Sequence, residues 1–249
     1  MKKENTPLII LVSGKKRAGK DTVSSMVKQH LEERGKKVAI FSFADPIRKI
    51  LSCALDVGAD ELMNTYQNNG IVSICSADGS VIKQTSARSM LQRFGDEGMK
   101  DEFGRMVWAE LATNKARRAL GDGFDVIVFS DFRVPEELEA IKKLSLQEGG
   151  AKIVTLLVKS SNIENGCADE KHRTETALET FLFDFSILNS KARGIEALRD
   201  KIHVLLQNNF FFTASKECAE RHNTPEPLFC ESESGDIRGF ASKAKKIRQ

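Results

Sequence analysis

The chain has 249 residues, enough to bury one sizeable core, and α/β domains of this length commonly remain a single unit that carries insertions. Hydrophobic residues at 41% and charged residues at 29% give the balance of an ordinary soluble globule, which excludes disordered and fibrous classes. A formal net charge of +3 is too small to indicate nucleic-acid binding, which needs a clustered basic face, so no nucleic-acid partner is expected.

Five apolar runs of strand length alternate with helical patterns: Leu8 to Val12, Val38 to Phe43, Asp125 to Phe129, Lys152 to Val158 and Phe185 to Leu188. Because each run is nearly continuously apolar, it reads as a strand covered on both faces, and together they predict a doubly wound parallel sheet. The first run is far too short to span a bilayer, and Lys15, Lys16 and Arg17 follow it, so no membrane or targeting segment is expected. A helix opens next, with Val23, Met26, Val27 and Leu31 along one side, and ends before Gly35.

About eighty residues separate the second and third strands, too many for a plain crossover, so an inserted acceptor-binding subdomain is expected at about 52–115. Asp78-Gly79 between Ile71 to Cys75 and Ser80 to Lys83 predicts a β-hairpin, since that pair takes positive φ readily. Ser86 is placed to cap a helix bearing Met90, Leu91 and Phe94, and a second helix shows Phe103, Met106, Val107 and Leu111 at helical spacing, a stripe expected in the core. A helix should open at Pro135, with Glu136 and Glu137 meeting its dipole. The polar loop from Ser160 onward reads as a short lid at about 160–178 that would exclude water from the reaction. From about Asn208 the periodicity is lost, and residues 208–249 read as a solvated, partly disordered extension to a domain of 1–207. The five cysteines are odd in number, widely spaced and without a CxxC pair, which suits free thiols in a reducing cytoplasm.

The strongest chemical signal is Gly14-Lys15-Lys16-Arg17-Ala18-Gly19-Lys20-Asp21-Thr22, which follows a strand and opens a helix. Its glycines let successive N–H groups point at a phosphate, the helix N-terminus adds its positive end, and Lys20 brings a mobile cation to the β- and γ-phosphates. Gly14, Lys15, Lys16, Ala18, Gly19, Lys20, Asp21 and Thr22 form the expected ATP site, and Arg17 is the loop cation best placed to act on transferring charge. The position after the lysine, usually Ser or Thr, is Asp21, with Thr22 next; Asp21 is open either to holding Mg2+, directly or through water, or to aligning arginines.

Phosphoryl transfer needs a second anion site facing the first. Ligands of open α/β sheets bind at the carboxyl edge of the strands, where Asp45 and Arg48 follow the second strand and Asp131 and Arg133 follow the third. Asp131 is suited to the magnesium shell and Arg133 to a two-pronged grip on the acceptor's phosphate. Arg88 and Gln92 lie one helical turn apart, facing the same way. Trp108, the only tryptophan, is open to base stacking or to core packing, and His172-Arg173 at the end of the lid could close over the phosphates.

These residues resemble the bacteriophage deoxynucleoside monophosphate kinases, relatives of adenylate kinase in the P-loop kinase superfamily. The likeness runs from about Pro7 to Leu206. It rests on GKKRAGKDT at Gly14 to Thr22, FADPIRKIL at Phe43 to Leu51, SARSMLQRFGDEGMKDEFGRMVWAELA at Ser86 to Ala112, VIVFSDFRVPEELEAI at Val126 to Ile141 and HRTETAL at His172 to Leu178. It implies a three-layer α/β fold of the nucleoside monophosphate kinase type, with a five-stranded parallel sheet in the order 2-3-1-4-5. It also implies ATP with Mg2+, deoxynucleoside monophosphates (dNMPs) as acceptors in dNTP synthesis, the host cytoplasm as location, and a homodimer. By the same likeness Arg88, Trp108, Asp131, Arg133 and Arg173 are substrate or phosphate contacts.

Phosphomevalonate and dephospho-coenzyme A kinases share a similar loop, and only an acceptor screen separates them from this reading. A GTP switch would need an Asn-Lys-x-Asp box; Asn114-Lys115 is followed by Ala116-Arg117, so the box is absent. A nucleic-acid-binding ATPase using the basic tail would bind with strong salt dependence, and the near-balanced charge opposes it.

Overall fold

The computed structural model describes residues 6–68, 70–161 and 177–210. Five strands form one parallel sheet: β1 (Leu8–Ser13), β2 (Val38–Phe41), β5 (Val126–Phe129), β6 (Lys152–Ser160) and β7 (Phe185–Asn189). Their order is β2-β5-β1-β6-β7, which is 2-3-1-4-5 when only the strands of this sheet are counted, as the resemblance implies. Every pairing is parallel, with Ile10 opposite both Val128 and Val154 in the centre.

Two helical layers cover the sheet because successive strand residues face opposite ways. Ile10, Val12, Val126, Val128 and Val158 meet Val23, Val27 and Leu31 of α1 (Lys20–Glu32) and Leu198, Ile202 and Leu206 of the last helix. The alternate residues Ile9, Leu11, Ile127 and Phe129 meet α6 (Val107–Gly121) and α7 (Pro135–Gln147). The last helix, α8 (Gly194–Phe210), continues past Asn208, so regular structure outlasts the loss of apolar periodicity expected there.

Between β2 and β5 the chain builds α2 (Asp45–Ala54), α3 (Ala59–Gln67), the antiparallel hairpin β3 (Ile71–Cys75) and β4 (Val81–Ser86), and α4 (Ala87–Arg93). The hairpin turns through Gly79 at φ 83°, and Ser86 caps α4 by accepting from the Ser89 N–H at 3.0 Å. A π-helical turn, Phe94–Lys100, and the single turn α5 (Asp101–Phe103) follow.

One expectation fails here. Phe103 is 65% and Leu111 43% exposed, so the two ends of the stripe placed on one continuous core helix lie outside the core, while Met106, partly buried, packs against it. Gly104, at φ 87°, breaks the chain, and α6 restarts with a new phase. Its inner face consists of Trp108, Ala109, Ala112, Thr113, Ala116 and Ala119, small residues apart from the tryptophan, which let the helix lie close against the sheet.

Phe129 is fully buried, with its ring stacked on Phe43 at 4.3 Å between centroids and tilted by only 11°. Phe129→Ala should therefore cost about 3–5 kcal/mol, read as the shift in the midpoint of equilibrium chemical denaturation.

Candidate active site

The phosphate loop leaves β1 at Gly14 and enters α1 through Gly19, whose φ of 94° is a left-handed conformation that suits glycine. A methyl group on Gly14 would overlap the Val158 carbonyl, so β6 presses directly on the loop. Lys20 is buried, and its ammonium donates to the carbonyls of Gly14 at 2.7 Å and Lys15 at 3.0 Å. The ammonium is thus folded back onto the carbonyls of its own loop. Lys15, Arg17, Asp21 and Thr22 are exposed at the loop and the first turn of α1, with Ala18 buried beneath and Lys16 intermediate. Magnesium takes hard oxygen ligands and keeps much of its shell on waters and phosphates, and Asp21 and Thr22 are oxygen donors at the mouth of such a loop. Among the described residues no group of three or more His, Cys, Asp or Glu stands together as a separate metal site.

Asp131 closes the sheet edge between β5 and β2. It is buried, and its Oδ1 accepts from the Phe43 N–H at 2.7 Å, while Oδ2 accepts from the Ser42 hydroxyl and from the Ala44 N–H at 3.2 Å. Both oxygens therefore hold the turn that starts α2, a duty the sequence reading did not assign. Asp45 accepts from the Ser42 N–H and pairs with Arg48 at 3.4 Å and Lys115 at 3.3 Å. It supports Arg48, and it does not line either of the two clefts described next.

A cleft of about 160 Å3 brings together Arg48, Arg88, Gln92, Trp108, Asp131 and Arg133, residues that come from four separate stretches of sequence. The Trp108 indole is buried and donates to the Gly95 carbonyl of the π-helical turn at 2.9 Å, so one ring both packs in the interior and lines the cleft. A second cleft of about 490 Å3 lies beside the phosphate loop, with Gly14, Lys15 and Lys159 among its walls and Phe132, Phe181 and Phe183 packed edge to face. Arg133 lines both. His172 and Arg173, with most of the expected lid, lie outside the described residues.

Tyr66, Lys100, Arg105, Glu136 and Glu137 also line the smaller cleft and were not singled out from sequence as ligand contacts. Glu137 is the most informative. Its Oε2 accepts from the backbone N–H of Arg133 at 2.7 Å and of Val134 at 3.2 Å, reaching back from the first turn of α7 to fix the turn that carries Arg133. A glutamate three residues after the N-cap position was the available signal, since that spacing lets a carboxylate return to the cap. The residue is partly covered overall but its carboxyl is enclosed; that burial, reinforced by the charge of Asp131, pushes its pKa up to about 8.

With the fold and these clefts in view, the molecule is a phosphotransferase of the P-loop nucleotide kinase class. The chain belongs to the deoxynucleotide monophosphate kinase family, whose model matches residues 8–71 and 59–202. No curated protein matches the sequence. Among solved structures, the chain is similar to a Mycobacterium tuberculosis APS kinase in complex with AMPPNP and APS, at 14% identity over 82% of this chain and 99% of that one, with a TM-score of 0.42. A shikimate kinase from Acinetobacter baumannii in complex with shikimate matches at 13% identity over 82% and 93%, with a TM-score of 0.37. A Mycobacterium smegmatis cobyrinic acid a,c-diamide synthase with an ATP analogue and magnesium matches at 14% over 82% and 83%, with a TM-score of 0.35. Likenesses this distant carry no weight for the substrate.

The raised value of Glu137 has a thermodynamic consequence. An acid whose folded pKa of about 8 lies above its ordinary 4.5 binds its proton more tightly in the folded state. Stability from this group is therefore full below about pH 4.5 and declines as pH rises towards about 8. In Glu137→Gln the amide oxygen still accepts from both N–H groups but cannot ionise. The stability of wild type relative to this variant should fall by about 2–4 kcal/mol across that window, measured by denaturant titration at several pH values.

Proposed function

We propose that the protein transfers the terminal phosphoryl group of ATP to deoxynucleoside monophosphates, supplying diphosphates for dNTP synthesis. The observation that carries this reading is the position of Arg133, which borders the phosphate-loop cleft and the smaller cleft at once. A group there can hold an acceptor phosphate facing the donor's last phosphate, as in-line transfer requires. Membership of the family supports the acceptor class.

In this proposal ATP lies on the loop from Gly14 to Thr22. Lys20 exchanges its two carbonyl partners for phosphate oxygens, and Arg17 steadies charge on the transferring group. When bound, magnesium would be held by Asp21 and Thr22 and would neutralise charge on the β- and γ-phosphates. Asp131 holds the β2–α2 turn so that Arg48 faces the acceptor, with a place in the outer shell of the metal retained as part of the proposal. Arg88 and Arg133 grip the acceptor phosphate, and Gln92 and Trp108 meet its base. The segment at about 52–115 serves as the acceptor-binding insertion and that at about 160–178 as a lid carrying Arg173 to the phosphates. The homodimer and the cytoplasmic setting follow from the resemblance; no helix among the described residues is long and apolar enough to cross a membrane.

A coupled assay of ATP consumption across all dNMPs and NMPs tests the acceptor class directly. Turnover with one or more dNMPs is expected, whereas turnover confined to a non-nucleotide acceptor refutes the reading. Lys20→Ala should abolish that turnover with the fold retained, checked by circular dichroism, because the lysine's ammonium bonds to carbonyls of its own loop and its charge is what the β- and γ-oxygens require. Arg133→Lys keeps the charge but loses the fork, so kcat/KM for the acceptor should fall roughly ten- to a hundredfold with the KM for ATP little changed.

A further inference from the structure

The phosphate loop is braced from the far edge of the sheet by a residue that the reading above does not use. Asn189, the last residue of β7, donates from Nδ2 to the Ala18 carbonyl at 2.9 Å across 171 positions of sequence. The contact is intimate, because a methyl group on Gly19 would overlap that same Nδ2. A side-chain amide beside a backbone carbonyl must present its NH2 and not its oxygen, so the carbonyl also sets which way Asn189 faces.

The consequence lies in the peptide unit between Ala18 and Gly19. The bond is trans, since the described chain has no cis peptide, and in a planar trans unit the C=O and the N–H point in opposite directions. Holding the Ala18 oxygen outward against β7 therefore turns the Gly19 N–H inward, to the side where the loop receives phosphate. The following Gly19 carbonyl is already committed to α1, accepting from the Val23 N–H at 3.0 Å. The crest of the loop is thus fixed from two sides, by α1 after Gly19 and by Asn189 before it. Both glycines are also crowded, Gly14 by the Val158 carbonyl of β6 and Gly19 by Asn189 of β7, so the loop sits wedged between two strand ends. Without Asn189 the Ala18 peptide could rotate, and the amide aimed at phosphate would turn with it.

We propose that Asn189 is a positioning residue for the phosphoryl donor: its hydrogen bond to Ala18 aims the Gly19 amide into the phosphate site and sets the affinity for a nucleoside triphosphate. This rests on the reading of the loop as the ATP site, and the experiment separates the two. The full-length protein, with magnesium, is titrated with the β,γ-imido analogue of ATP, and KM values for ATP and for the acceptor are measured beside the melting temperature. Asn189→Leu keeps the branched shape in a somewhat larger side chain without the donor, and Asn189→Ser is a smaller second variant should leucine disturb the fold. Each should bind the analogue roughly two- to tenfold more weakly than wild type, the effect of one neutral hydrogen bond, with the acceptor KM unchanged. Analogue affinity equal to wild type in a folded variant overturns the inference, as does an equal loss for donor and acceptor, which would mark a general structural role. Failure of the wild-type protein itself to bind the analogue overturns the ATP reading, and the inference with it.

Discussion

The half of this molecule proposed to hold the acceptor depends on one carboxylate. Asp131 stands at the end of β5 and gathers the Ser42 hydroxyl and the N–H groups of Phe43 and Ala44 from the end of β2. The strands already pair up to Phe41 and Phe129, and the Ser130 N–H still donates to the Phe41 carbonyl at 3.0 Å. Beyond that point the chains would part, because no further ladder bond holds them. A buried carboxylate accepting three hydrogen bonds is stable only while all three donors stay in place, so the link fixes the start of α2 and, through it, Arg48.

The same short turn is tied in two further directions. The Phe132 N–H donates to the Val12 carbonyl of β1, and Glu137 takes the N–H groups of Arg133 and Val134 from the side of α7. The backbone that carries Arg133 is thus fixed by β1, by the β2–α2 turn and by α7. In the proposed reading, a guanidinium on so constrained a base would serve both clefts without loss of aim, which matters because a small misplacement of reacting groups costs much of the rate. The phosphate loop is organised by the same logic, with its lysine folded onto its own carbonyls and its crest held by a side chain from β7.

Much of this was legible in the sequence. The five apolar runs, the glycine-rich loop between β1 and α1, the hairpin at Asp78-Gly79 and the Ser86 cap are local patterns with local causes, and each stands where the pattern puts it. Arg88 and Gln92 reach one cleft with Trp108 and Arg133 because helical spacing and strand-end position are also readable one stretch at a time. The inner face of α6 was not legible, since its alanines give a faint signal beside the larger and exposed Phe103 and Leu111. Long-range polar partners were equally hidden. Asp131 resembled a metal-shell acid by its motif, and nothing local shows that residues 87 to 89 positions away are its donors. Asn189 stood at a strand end without any motif, and only the fold brings it to Ala18.

Trp108 offers the most direct test of the central claim, that the cleft shared by Arg88, Trp108 and Arg133 holds the acceptor. It is the only tryptophan in the chain and lines that cleft, so its emission reports binding there without any label. Titration of the protein with deoxynucleoside monophosphates, without ATP, should give a saturable change in tryptophan fluorescence. The matching deoxynucleosides, lacking the phosphate that Arg133 would grip, should bind far more weakly. A response of equal strength to the unphosphorylated nucleosides, or no response to any dNMP that the enzyme turns over, would contradict the account.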